Sequence, residues 1–260
     1  MTETTRYFAA GWDFEEERAR LRLIEELNDP ATTRRLSSLG LISGWRCLEL
    51  GAGAGSIACW LAARVAPSGQ VVATDIDLRF LQNITRPNLE VRRHDIRTDA
   101  LESDAYDLVH CRNLLVHLPD PEQIARRMVA ALRPGGWLVA EEPDFTAMVA
   151  VSRDHSAADD FDSFLRRAYV RAWSRFAKSL PVLVDKLGLT DCGHEVSGSV
   201  VCGGEPRARL YAETLRRSRS AYLADGVLTA EGYERLDRAL HDPAFAYLAH
   251  LSVAAWGRRR

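Results

Sequence analysis

No stretch of this 260-residue sequence carries a sustained charge of one sign: 34 Lys and Arg are interspersed with 36 Asp and Glu, giving a net charge of -2. A chain so balanced has no positive field to condense on a phosphate backbone, so no nucleic acid partner is expected. Nowhere do about 18 apolar residues run uninterrupted, and Met1 to Ala10 contain no basic stretch followed by an apolar run. No membrane partner is therefore expected, and cytoplasm is the expected compartment. The five cysteines, Cys47, Cys59, Cys111, Cys192 and Cys202, are odd in number and form no CxxC pair. That argues against a disulfide framework or a zinc site, and they read mostly as small buried hydrophobes. Internal repeats and low-complexity segments are lacking too.

What the chain does contain is 47% hydrophobic residues, enough to bury a full core. Phe14 to Leu27, dense in Glu and Arg with Leu21, Ile24 and Leu27 at helical spacing, predicts an amphipathic helix. After Gly44 the pattern changes to short apolar runs: Arg46 to Leu50, Gln70 to Thr74, Leu89 to Arg92, Tyr106 to His110 and Trp137 to Glu141. Strands alternating with helical segments predict a parallel sheet built by right-handed crossovers. The expected fold class is α/β, a doubly wound, seven-stranded, mostly parallel sheet with helical lid insertions. In this reading residues 1–43 form an N-terminal helical cover, 44–144 and 181–260 the core, and 145–180 and 205–240 the insertions. His194 to Cys202 and Tyr247 to Trp256 are the expected last two strands.

The segment Leu48-Glu49-Leu50-Gly51-Ala52-Gly53-Ala54-Gly55 places an acidic residue near a strand end, then a glycine-rich turn opening a helix, where backbone can approach a ligand closely. A dinucleotide fingerprint wants its third glycine at position 56, which is Ser56. Glu49 suits a ligand carrying positive charge better than one carrying phosphate. Twenty positions beyond Gly55, Asp75 ends the second strand, where a carboxylate can accept from both ribose hydroxyls, and Ile76 offers an apolar face for adenine. Asp95 and Ile96, at the end of the third strand, offer a second acceptor and a second apolar wall.

With these motifs, together with YDLVHCRNLLVHLPDP and LRPGGWL, the chain resembles the class I, Rossmann-like S-adenosylmethionine-dependent methyltransferases, specifically the small-molecule and natural-product group. The resemblance implies S-adenosylmethionine as cofactor, with Glu49, Gly51, Gly53 and Gly55 at its methionine end, Asp75 at ribose, Ile76, Asp95 and Ile96 at adenine, and Cys111 beside the sulfonium. It also implies that the segment from Tyr7 to Thr32 folds over the cofactor, which makes Arg20 the candidate for the methionine carboxylate. The expected activity is methyl transfer to an oxygen, nitrogen or carbon nucleophile of a small-molecule acceptor, such as an aromatic secondary metabolite.

Arg112 and Asn113 follow the fourth strand at the carboxyl edge, where open α/β sheets bind ligands, and either face the acceptor or form an ion pair. Glu141, Glu142 and Asp144 leave the fifth strand on the same edge, so Glu142 is a candidate base and Asp144 a candidate acceptor contact. Tyr7 and Trp173 are further acceptor candidates, while Phe161, Phe164 and Phe176 read as pocket walls or core packing. His110, within the fourth strand, reads as buried and hydrogen-bonded, and His117 as a packing or capping residue. No metal is expected, because the carboxylates do not reproduce a catechol-type metal arrangement. Two other classes stay open: a nicotinamide-dependent oxidoreductase on the same sheet, and a protein that binds S-adenosylmethionine without transferring its methyl group. The expected species is a monomer or homodimer.

Overall fold

The computed structural model describes residues 13–153, 155–168 and 176–260. In chain order the elements are α1 (Phe14–Ser38), β1 (Arg46–Leu50), α2 (Ser56–Val65), β2 (Gln70–Asp75), β3 (Leu89–Arg93), β4 (Tyr106–Arg112), α3 (Pro121–Ala131), β5 (Leu132–Asp144) and β6 (Val149–Ala150). They continue with α4 (His155–Ala168), α5 (Phe176–Lys186), β7 (Thr190–Ser197), β8 (Val200–Cys202), α6 (Pro206–Arg217), α7 (Arg219–Ala224), α8 (Ala230–His241), β9 (Ala246–Leu248) and β10 (Leu251–Arg258). Two compact units result. The first takes in the chain up to Glu142 with Ser179–Glu195 and Val253–Arg260, and the second is Pro143–Lys178 with Val196–Ser252.

The first unit is built on a seven-stranded sheet in the order β3-β2-β1-β4-β5-β10-β7. β1 pairs in parallel with β2 and β4, β2 with β3, and β4 with β5, so the expected mostly parallel, doubly wound sheet is present. Its order reverses at β1, from which the chain winds outward in both directions. The apolar strand residues make this possible: Cys47, Val71, Leu108 and Val139 are buried in one cluster with Ile57 and Leu61 of α2. Buried on both faces, such strands read as nearly continuous apolar runs.

α1 is longer than the sequence predicts, running on through Pro30 to Ser38. Asp13 starts it, its carboxylate accepting from the amides of Glu15 and Glu16. Burial of Thr32, Arg35 and Leu36 past the proline outweighs the lost amide donor there.

The second unit carries a small antiparallel sheet, β6-β9-β8. Helices α4, α6 and α8 contribute Phe161, Phe164, Tyr211, Leu215 and Leu236 to its core. Both expected late strands are divided. His194 to Cys202 becomes β7 and β8, and Tyr247 to Trp256 becomes β9 and β10, because each run serves the small sheet with one part and the large sheet with the other. The breaks fall at Gly198-Ser199 and Ala249-His250, where the Ala249 amide donates to the Ser199 carbonyl. No helix of the described residues is long and apolar enough to cross a membrane.

Candidate functional site

The glycine loop joins β1 to α2 at the carboxyl edge, with Gly51, Gly53 and Gly55 at φ of 67°, 57° and 86°. These are left-handed conformations that L side chains resist. A Cβ at Gly55 would also stand 2.5 Å from Ile84 Cδ1 and 2.8 Å from Leu81 Cδ2, and one at Gly51 3.1 Å from Leu114 Cδ1. Asp75 ties the loop to the neighbouring strand: one carboxylate oxygen accepts the Gly53 amide at 2.9 Å and the other the Asp77 amide at 3.0 Å. Burial holds the Asp75 carboxyl above its ordinary range against the pull of these amides. Ile76, next along, is 46% exposed, an apolar surface at the end of β2.

α1 crosses this loop. Leu21 Cδ2 lies 3.7 Å from where a Gly53 Cβ would be, and Glu25 accepts the Ser56 amide at 3.2 Å. That bond supplies the cap α2 lacks at Gly55. Burial raises Glu25 as well. The loop is thus flanked by two partly buried carboxylates and by backbone N–H groups, with no lysine or arginine within it. Such a donor and acceptor set fits a nucleoside that carries a cationic centre better than one that carries phosphates.

Glu49, expected at this ligand, also has a partner within the sheet. His110, fully buried on β4 beside it in the sheet register, donates from Nδ1 to Glu49 Oε2 at 2.6 Å. Its Nε2 faces Glu141 Oε1 at 3.4 Å. Burial pushes the imidazole pKa down, but the Glu49 and Glu141 carboxylates outweigh it and lift it to about 9. Burial pushes Glu141 up in turn, and His110, Arg35 and Arg112 bring it down to about 2.

Arg35 and Thr32, both on α1, reach Glu141 at 2.8 and 2.9 Å. Arg112 donates to Thr32 Oγ1 at 3.0 Å and to Asp29 Oδ1 at 2.8 Å. Of the two sequence readings of Arg112, the ion pair is the one present. The network clamps α1 to β4 and β5, and its α1 members Asp29, Thr32 and Arg35 lie in no sequence motif. His110 had one usable signal, its place in the strand alternation.

At the end of β4, Asn113 has φ of 54° and donates its amide to the Glu141 carbonyl at 2.8 Å. A non-glycine residue held there is a strained position of the kind that gathers at functional sites. Glu142, 1% exposed, accepts the amides of Leu114, Leu115 and Val116 at 3.2, 2.7 and 3.4 Å. Burial lifts its carboxyl to about 8 against those bonds. Cys111 has no exposed surface, and burial pushes its thiol well up. Burial and then Arg20 take His117 down to about 4.

Arg20 is buried on α1 and bonded twice to Glu17, at 2.8 and 2.6 Å. Asp95 is held by Arg97 through two bonds, of 2.8 and 2.7 Å, and that guanidinium lowers it to about 2. Ile96 is buried. Asp144, in the second unit, accepts the Thr146 amide and hydroxyl at 2.9 and 2.6 Å, capping a short 3₁₀ turn. Tyr7 and Trp173 lie outside the described residues.

Residues 48–138 match a family model described as a methyltransferase domain. The chain is similar to methyltransferase GfsG of Streptomyces halstedii, 25% identical over 182 residues, which cover 64% of this chain and 60% of that one. It is similar to the ubiquinone biosynthesis O-methyltransferase of Stutzerimonas stutzeri, 26% identical over 196 residues, covering 69% of this chain and 81% of that protein. Among solved structures, phosphoethanolamine N-methyltransferase 2 of Haemonchus contortus, in complex with phosphomonomethylethanolamine and S-adenosylhomocysteine, shares the fold with a TM-score of 0.51 at 16% identity. That likeness covers 94% of this chain and 53% of the nematode enzyme. The chain therefore spans less than two thirds of the length of GfsG and of the nematode protein.

Proposed function

We propose that this chain, a class I, Rossmann-like S-adenosylmethionine-dependent methyltransferase by its matched residues 48–138 and its seven-stranded sheet, transfers the cofactor's methyl group to an oxygen, nitrogen or carbon nucleophile of a small-molecule acceptor. One observation carries the reading: three left-handed glycines at the switch point of the sheet, with Asp75 of the next strand bonded to the middle one.

When bound, S-adenosylmethionine supplies an electrophilic methyl group and a neutral thioether leaving group. The chain's own residues then have to bind, orient and exclude water. Asp75 would take the ribose hydroxyls and Ile76 would pack on the adenine. Backbone groups of Gly51 to Gly55 hold the methionine end, under the part of α1 that runs from Leu21 to Glu25. Asn113, fixed in its left-handed conformation at the end of β4, faces the acceptor, and Arg112 shapes the same edge from its pair with Asp29.

What the chain's residues would contribute is chiefly to hold the nucleophile in line with the methyl group in a site closed to water. A proton acceptor matters only for a nucleophile that arrives protonated. The name of the ubiquinone biosynthesis O-methyltransferase and the interspersed charge of the sequence support a small-molecule acceptor.

The test incubates the protein with S-adenosylmethionine and a panel of hydroxylated, amine and indole-like compounds, followed by mass spectrometry. The expected result is a gain of about 14 Da on one class, the mass of a methyl replacing hydrogen. Binding of the panel and cofactor with no such gain on any member would contradict transfer.

A further inference from the structure

Glu142 is the most deeply buried acid at the candidate site, and none of the steps above uses it. Its geometry is that of a clamp. The 3₁₀ turn Leu115–His117 that follows β4 has no side-chain cap of its own, and the amides it leaves open at 114, 115 and 116 all converge on the Glu142 carboxylate. The clamp begins where the strand ladder ends. The Asn113 amide still bonds the Glu141 carbonyl, and the next residue of β5 then gathers the next three amides of the loop. Asn113, caught between, adopts its positive φ of 54°.

The first clamped residue, Leu114, touches the glycine loop. Its Cδ1 stands 3.1 Å from where a Gly51 Cβ would be, so the position of the turn sets how closely the two loops approach. With three amides occupying it and 1% exposure, the carboxylate has little freedom to take a proton from an acceptor.

We propose that Glu142 is a positioning residue, which holds Asn113 and Leu114 in place and through Leu114 fixes the glycine loop in the form that binds the cofactor. The proposal rests on the S-adenosylmethionine-binding reading above. A rigid support one contact removed from a ligand changes affinity when it slackens, since small misplacements are costly in a preorganised site.

The experiment uses the full chain with Glu142→Gln, Glu142→Ala and, as a route that leaves the carboxylate intact, Leu114→Ala. Calorimetry measures S-adenosylhomocysteine affinity well below each variant's unfolding temperature, and amide hydrogen exchange follows residues 113–117. Glu142→Ala is expected to lose affinity by about tenfold or more and to exchange fast at 114–116. Glu142→Gln, whose amide oxygen still accepts from the turn, is expected to stay within about threefold of wild type. Leu114→Ala is expected to reproduce the affinity loss with the 115 and 116 amides still protected, and it carries the test if Glu142→Ala fails to fold.

Glu142→Ala or Leu114→Ala binding as tightly as wild type would overturn the proposal. So would Glu142→Gln losing as much affinity as Glu142→Ala. Wild-type protein that binds neither S-adenosylmethionine nor S-adenosylhomocysteine would instead overturn the underlying functional reading.

Discussion

Replacing His110 with Gln removes the cation that bridges Glu49 and Glu141 and leaves Glu49 facing an uncharged amide, with Glu141 still paired to Arg35. The cost is set by the burial: both carboxylates and the imidazole are out of water, and breaking such a pair from one side typically costs about 3–5 kcal/mol. The pH dependence follows from the imidazole being lifted from 6.5 to about 9. A base with a raised folded pKa contributes stability that is complete below its unfolded value and lost as pH rises through the folded one. The window is therefore 6.5 to 9, and at about 1.4 kcal/mol per pH unit the loss is about 3 kcal/mol.

Glu142, lifted to about 8, also loses folded-state stabilisation with rising pH, but equally in both proteins. The difference between them isolates His110. Urea unfolding followed by circular dichroism at pH 6 and pH 9.5 should show the His110→Gln deficit shrinking by about 3 kcal/mol at the higher pH. A deficit under about 1 kcal/mol at pH 6, or one that does not change with pH, would refute the imidazolium clamp.

Asp75→Ala should weaken S-adenosylhomocysteine binding by about 1–3 kcal/mol in calorimetry, through loss of charged hydrogen bonds to ribose. Unchanged affinity would remove Asp75 from the site. Gly55→Val should lower the thermal midpoint by several degrees, since the new side chain meets Ile84 and Leu81 at a positive φ; a midpoint equal to wild type would mean that the loop has another conformation. Arg97→Ala should change stability by less than about 1 kcal/mol, because that pair is partly exposed. It should also let the Asp95 carboxyl rise from about 2 towards its ordinary range in an NMR titration. If Asp95 receives the adenine amine, freeing it should tighten S-adenosylhomocysteine binding several-fold, and no tightening would count against that assignment.

The sheet was legible in the sequence because its strands announce themselves locally, as apolar runs bounded by Gly and Pro. Their ends were less so: β5 begins at Leu132 and runs to Asp144, beyond both limits of the expected Trp137 to Glu141. The division of the late strands depends on which sheet each half joins, a long-range fact with no local signature. The same contrast holds at the site.

The glycine loop and Asp75 could be read from spacing, since the turn and the next strand end are fixed by backbone geometry. The commitments of Glu49 to His110, Arg112 to Asp29 and Glu142 to the 114–116 amides link residues 26 to 83 positions apart. No periodicity encodes such pairings. They show only when the strands lie in register, and they give several charged residues expected at a ligand partners within the chain.

What the carboxyl edge of β1 and β2 binds decides the function. Titrating the full chain with S-adenosylmethionine and, separately, with NAD, in wild type and in Asp75→Ala, measures that. Saturable S-adenosylmethionine binding that is lost or weakened in the variant, with no NAD binding, is the predicted result; NAD binding without S-adenosylmethionine binding would contradict it.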